Sequence, residues 1–372
     1  MKKFIAMISA LLISQTLVLH SQTWTSMPVP DLLGKWTITG IHFPTPNHGW
    51  AVGYLYDIAF IDEIVEGFII EYNDGKWTRT DVAGPSHNWT LNGVWFLDDQ
   101  TGWAFGQNKA SSRGLLMKYK NGSWSIIDLE FIDIAEWIIY DAYFASEQEG
   151  WIAGGSSGKD GPVLYHYFDG RWEKETAPDF KDQTLLALHG LKSGVLFAGG
   201  FREGEFGLAT AKRPQGSYII AKTKSGWETA RLPLLSKNII TRDIFCLSPT
   251  NVYAVGWMPA FQSAPETGKI LHFNGSKWSE LEAADVGKEW NLMSIAFENA
   301  DMGWAVGYYP DKKKGLLLGF VKGKFTALSK KTEPQISDNW LLRCVTFDGT
   351  GSYYAAGSNE KTNTGIILKL SR

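Results

Sequence analysis

Two cysteines in 372 residues are too few for a scaffold held together by disulfides. Charge of one sign is also lacking. With 36 Lys+Arg against 39 Asp+Glu the net charge is -3, so no basic field points to nucleic acid or to an anionic membrane. Beyond the N-terminal segment no apolar run is long enough to span a bilayer. His42, His48, His87, His166, His189 and His272 are scattered, with no i, i+4 pair and no cysteine at ligand spacing, so no metal site is read. No Gly-x-Ser-x-Gly elbow, phosphate loop or dinucleotide fingerprint sits in a strand–helix context, and no cofactor is expected. What the chain does have is aromatic residues, 17 of them Trp, and these must do the packing.

The aromatics recur in register. Gly49-Trp50-Ala51-Val52-Gly53 returns as Gly102-Trp103-Ala104-Phe105-Gly106, Gly150-Trp151-Ile152-Ala153-Gly154 and Gly303-Trp304-Ala305-Val306-Gly307. Looser copies are Leu196-Phe197-Ala198-Gly199-Gly200, Val252-Tyr253-Ala254-Val255-Gly256 and Tyr353-Tyr354-Ala355-Ala356-Gly357. In every copy an aromatic stands three positions before a glycine. A spacing of roughly 50 residues is that of a propeller blade and not of a helical solenoid.

Each repeat reads as four short strands. In the first these are a (Ile38 to Phe43), b (Gly49 to Tyr54), c (Gly67 to Asn73) and d (Lys76 to Val82). Asn73-Asp74-Gly75 between c and d is a tight-hairpin signal. Strand a is read as ending in Phe43, Phe96, Phe144, Leu191, Leu247, Phe297 and Phe347, with a second, mostly apolar column two residues earlier. Apolar residues on both faces of strand a fit a blade sandwiched between neighbours.

The seventh repeat supplies a, b and c and has no strand d before Arg372. Thr23-Trp24-Thr25 near the other end has the Trp-Thr pattern of Trp77-Thr78. The expected fold is therefore all-β, a seven-bladed β-propeller whose last blade is completed by the N-terminal strand, leaving no open sheet edge. The blades run roughly over 36–82, 89–130, 137–177, 184–233, 240–283, 290–330 and 340–372 with 23–29. Residues 1–21 have the basic head, apolar middle and small residue before a polar start of a secretory signal peptide. An exported protein, periplasmic or extracellular and without stable membrane insertion, is expected.

The repeat strand–Gly-Trp-Ala-Val-Gly–variable loop–strand–Asn/Asp-Gly-x-Trp resembles the Ycf48/Hcf136-like (BNR-repeat) propellers, whose founding members are photosystem II assembly and stability factors. The resemblance covers essentially the whole chain after residue 21. It implies the propeller fold and a non-catalytic binding or assembly role. Strand d is preceded by Asp74-Gly75-Lys76-Trp77 and not by the Ser-x-Asp-x-Gly-x-Thr-Trp box of sialidase propellers.

The b–c and d–a loops of a propeller share one face, where loop length varies most and binding concentrates. Seven residues before the end of strand a stand Trp36, Trp89, Trp137, Trp290 and Trp340, with Thr184 and Ile240 in blades 4 and 5. Two readings are open for these tryptophans. They either ring the channel mouth as stacking platforms or wedge between adjacent blades. Arg242, Asp243 and the long blade 4 loop add polar contacts on the side where the tryptophans lapse, and Arg343 at the start of strand a in blade 7 is a further candidate. Cys246 and Cys344 fall in blades that are not neighbours and are expected to be free, buried thiols. No catalytic residue is assigned. The expected function is a monomeric, non-catalytic scaffold engaging a protein or peptide on the loop face. The alternative is a carbohydrate-active propeller, either a lectin-like binder or a sialidase-like hydrolase or lyase, marked by three arginines and a carboxylate pair at the mouth.

Overall fold

The structure is a computed structural model, which describes residues 23–57, 63–156, 161–178, 180–205, 212–233, 238–260, 264–329, 332–336 and 339–371. The proposed signal segment 1–21 lies outside the described residues. The described strands form seven antiparallel sheets in a–b–c–d order. The innermost strands a are Lys35–Thr45, Trp89–Asp98, Trp137–Phe144, Gln183–Gly190, Ile240–Ser248, Asn291–Asn299 and Trp340–Phe347. The c–d hairpins turn as the sequence implies. Asp74 and Gly75, Asn121 and Gly122, and Asp169 and Gly170 all have positive φ, the twist a two-residue hairpin requires.

Ring closure follows the expectation. Thr23–Ser26 pairs antiparallel with Thr364–Ser371, Trp24 opposite Leu370, and supplies strand d of blade 7. Trp24 is 1% exposed and meets Trp304 of blade 6 edge-on at 5.2 Å. Blade 6 gains a fifth strand, Ala283–Ala284, parallel to its outer strand Lys324–Ala327.

Every strand a carries a bulge against strand b at the same place in its first half, and blades 1, 2, 5 and 6 have a second one near the a–b turn. In the shared bulge the extra residue is Thr39, Asn92, Tyr140, Leu186, Arg242, Met293 and Arg343 in blades 1 to 7. The bulge accounts for the glycine that never varies in the repeat. A Cβ on Gly53 would overlap the Thr37 carbonyl of strand a, and Gly106, Gly154, Gly200, Gly256, Gly307 and Gly357 each meet the equivalent carbonyl. Only glycine lets the backbones approach that closely.

Blades pack through stacked rings. Trp50 lies on Phe96 of the next blade at 3.7 Å, Trp103 on Phe144 at 3.8 Å, and Tyr354 on Phe43 across the closure at 3.8 Å. The first glycine of the motif makes room for that phenylalanine, since a Cβ on Gly49, Gly102, Gly150 or Gly303 would enter the ring of Phe43, Phe96, Phe144 or Phe297.

Here the strand register corrects the sequence reading in two blades. The residue opposite Leu196 is Gly190, not Leu191, and the one opposite Val252 is Cys246, not Leu247. Large and small have exchanged places across the strand pair, so the space is filled from strand b. The whole of strand a therefore shifts by one position. Leu188 and Ile244 join the apolar column in place of His189 and Phe245. Gln183 and Ile239, not Thr184 and Ile240, stand where the other blades have Trp.

Candidate functional site

The five repeated tryptophans are interlocks. Trp36, Trp89, Trp137 and Trp340 are 1–2% exposed and Trp290 is 7% exposed, which leaves no ring face open for stacking on a ligand. Each indole lies on a glycine in the first half of strand c of the preceding blade: Trp36 on Gly365, Trp89 on Gly67, Trp137 on Gly114, Trp290 on Gly268 and Trp340 on Gly315. Their backbone N–H groups add a second link where Trp36 donates to Asn363 O at 3.0 Å and Trp137 to Ser112 O at 2.9 Å. The preceding strands c of blades 3 and 4 offer Pro162 and Ser217 at that place, so blades 4 and 5 carry Gln183 and Ile239 instead. The lapse on one side of the ring thus follows from packing, and of the two readings left open by the sequence the tryptophans take the wedge between blades, not the stacking platform.

The polar residues of the inner strands converge on the axis. At least one side chain stitches each pair of neighbouring strands a. Thr39 Oγ1 donates to Leu91 O at 2.7 Å, and Asn92 Nδ2 to Ile139 O at 2.7 Å. Asp141 accepts from Leu188 N at 2.7 Å, His189 Nδ1 from Cys246 N at 3.2 Å, and Asp243 from Ile295 N at 2.8 Å. Ser294 accepts from Val345 N at 3.2 Å, and Arg343 Nε donates to Thr37 Oγ1 at 3.3 Å to close the ring. Asp243 and Arg343 of the sequence-derived set therefore each take part in holding blades together. Cys246 and Cys344 are free and buried, as expected.

Arg242 and Arg343 are bulge residues of blades 5 and 7, and Tyr140 is the bulge residue of blade 3. These blades are not neighbours, so charges that feel one another must do so across the channel. Burial lowers the Arg242 pKa first and the Arg343 charge lowers it further, while Tyr140, Asp243 and Asp141 oppose the shift. Arg343 is also within electrostatic reach of Tyr56 and Tyr308, phenols whose pKa values are raised mainly by burial. Among the described residues no carboxylate lies within 4.0 Å of either guanidinium. Two like charges thus share the channel without an ion-pair partner. Arg343 opens onto the loop face through a cleft of about 180 Å³ between blades 7 and 1, walled by Lys35, Tyr56 and Glu360.

The acids lie further along the axis. Burial first, and then Asp243, raises the Asp141 pKa to about 8, and burial raises Asp243 to about 6. Tyr140 and Asp141 were missed by the sequence reading. Their signal was the bulge position they share with Arg242 and Asp243. Among the described residues no three His, Cys, Asp or Glu side chains gather as a metal site requires.

This geometry is that of a seven-bladed β-propeller closed by its N-terminal strand, with a charged axial channel. Among solved structures the chain is similar to one described as Ycf48 bound to D1 peptide, at 15% identity and a TM-score of 0.62, covering 94% of this chain and 97% of that one. It is also similar to Ycf48 from Cyanidioschyzon merolae, at 13% identity and a TM-score of 0.60, covering 94% of this chain and 98% of that one. At these identities the likeness is one of fold, and in fold it agrees with the resemblance read from the repeats. No protein-family model and no curated protein matches the chain.

Proposed function

We propose that this chain is an exported propeller scaffold that binds a protein or peptide on its loop face, over the channel mouth. The observation that carries the reading is the guanidinium pair Arg242 and Arg343. A desolvated cation, Arg242, beside the half-buried Arg343, with no carboxylate among the described residues in ion-pair range of either, favours an acceptor group brought by a partner. Arg343 shares its cleft with Tyr56, a phenol held by a 3.1 Å hydrogen bond to Tyr54, and arginine and tyrosine are enriched at protein-binding hot spots. A structural neighbour that holds a peptide supports the same reading at the level of a peptide-binding propeller.

The test is selection from a displayed random peptide library against the wild-type chain, run beside a glycan array. Peptides that bind the wild type and lose at least tenfold in affinity to Arg343→Gln, with the melting temperature held, support the reading. Glycan binding without peptide selection replaces it with the carbohydrate-binding alternative. Selected peptides that ignore Arg343→Gln refute the placement. Export is tested separately by fractionating cells that express the full chain.

A further inference from the structure

The end of the channel away from the loop face holds a cavity of about 370 Å³, built from the last residues of the seven innermost strands. Small-ligand pockets run from roughly 300 to 1,000 Å³. Its wall is aliphatic and aromatic, with the rings of Trp95, Phe245, His42 and His189, and three carboxylates also line it: Asp141 and Asp243 from non-adjacent blades, and Asp348, whose Oδ1 is already taken by the N–H groups of Thr350, Gly351 and Ser352. We propose that this cavity binds a protonated primary amine on an apolar body, with the ammonium between Asp141 and Asp243 and the body against Trp95 and Phe245.

The acceptors are already oriented. Asp141 takes the N–H of Ala142 on Oδ1 at 2.8 Å and that of Leu188 on Oδ2 at 2.7 Å. Asp243 takes those of Ile244 and Ile295 in the same way, each at 2.8 Å. The Ser294 hydroxyl adds a third hydrogen bond to Asp243, so both Asp141 oxygens and one Asp243 oxygen keep a second lone pair for a ligand N–H. Arg242 is the smallest of the influences on both carboxylates, and for Asp141 the opposing charge of Asp243 outweighs it. An ammonium therefore supplies the countercharge that burial denies them, and on binding it displaces the proton that Asp141 otherwise holds up to about pH 8. The collar suits a cation as well, because aromatic faces attract one. The pKa values of His42 and His189 are lowered to about 4, chiefly by burial, so both rings are neutral at pH 7 and do not repel it. His42 Nδ1 is buried without a hydrogen-bond partner, a further polar atom for a ligand N–H to satisfy. An anion meets the two carboxylates, and a neutral apolar body leaves them unpaired.

The test is calorimetric titration of the folded full chain with 2-phenylethylamine, a free amine, and with Nα-acetyllysine methylamide, which stands for a lysine of a protein partner. The tighter of the two identifies the source of the ammonium. Similar-sized 3-phenylpropionate and 2-phenylethanol supply the anionic and neutral comparisons. Saturable amine binding, weakened at least tenfold by Asp243→Asn and not matched by either comparison compound, is the expected result. Asp243 also stitches blades 5 and 6, so Ala296→Phe is the second variant. Ala296 faces Trp304 as Trp95 faces Trp103, at a height where the equivalent residues are His42, Tyr143, His189 and Phe245. A ring there fills the cavity without touching either carboxylate and is expected to abolish binding in a folded protein. Absence of saturable binding by both amines, equal binding of either comparison compound, or unchanged affinity in folded Ala296→Phe each overturns the proposal.

Discussion

The Trp89–Gly67 interlock offers a test of how the ring is held together, because it can be taken apart from both sides. Trp89 is 1% exposed and sits over the Cα of Gly67 in the preceding blade, with Gly84 on its far edge. Trp89→Ala empties that socket, and truncating a buried aromatic costs about 3–5 kcal/mol. Gly67→Ala attacks the same contact by overpacking, since a Cβ there would enter the six-membered ring of the indole. Such overpacking costs about 1–3 kcal/mol. Gly67 has no positive φ, so alanine carries no backbone strain at this place. The double variant decides the matter. With the indole gone the three nearest contacts of that Cβ are removed, and a strand alanine in place of glycine is favourable by roughly 0.5–1 kcal/mol. Gly67→Ala is thus expected to change from destabilising in the wild type to neutral or stabilising in Trp89→Ala, a coupling of about 2 kcal/mol. Urea unfolding of the four proteins, compared at equal m-values, measures it. Additive effects within about 0.5 kcal/mol refute the interlock, and a loss below about 1 kcal/mol for Trp89→Ala alone shows that the indole is not the wedge described.

Deleting Thr23 to Pro28 removes the outer strand of blade 7 and Trp24, and is expected to cost at least the roughly 3–5 kcal/mol of a buried aromatic; a melting temperature within a degree or two of the intact chain contradicts closure by this strand. Burial pushes the Cys246 and Cys344 thiols well up from their usual pKa, so both are expected to react with a maleimide only after unfolding, without reductant; an intramolecular disulfide contradicts the blade placement. The pH dependence has opposing contributions. The folded state holds protons on Asp141 and Asp243 up to about 8 and about 6, whereas His42 and His189 refuse them down to about 4. Between about pH 4 and 6.5 the unfolded histidines take up protons while the folded carboxyls retain theirs, and the two trends offset. From pH 6.5 to 8 the carboxyls of the unfolded chain are already ionised while Asp141 still releases its proton, so stability is expected to fall by on the order of 1–2 kcal/mol. Asp141→Asn should remove that slope, and a wild-type melting temperature that is flat or rises over the interval counts against the buried, protonated Asp141.

Local rules carried the architecture. An aromatic three residues before a glycine, repeated seven times, specifies strand b in each blade, and the glycine is required wherever the bulged strand a drives a carbonyl onto its Cα. The missing strand d and the Trp-Thr of Trp24-Thr25 announced the closure, because an unpaired sheet edge is costly. The pairing of each strand-a tryptophan with a strand-c glycine one blade earlier was equally present in the chain, since Pro162 and Ser217 stand where the tryptophan lapses. It is legible only once packing between blades, and not within them, is known. The one-residue shift in blades 4 and 5 escaped for a similar reason. Gly190 with Leu196 fills the same space as Phe144 with Gly150, and apolar periodicity cannot distinguish which strand provides the bulk. The axial groups are a matter of tertiary structure alone. Arg242 meets Arg343, and Asp141 feels Asp243, because closing the ring brings the inner strands of non-consecutive blades together across the channel. Contacts of that kind join residues about a hundred positions apart, and no local propensity, spacing or turn records them.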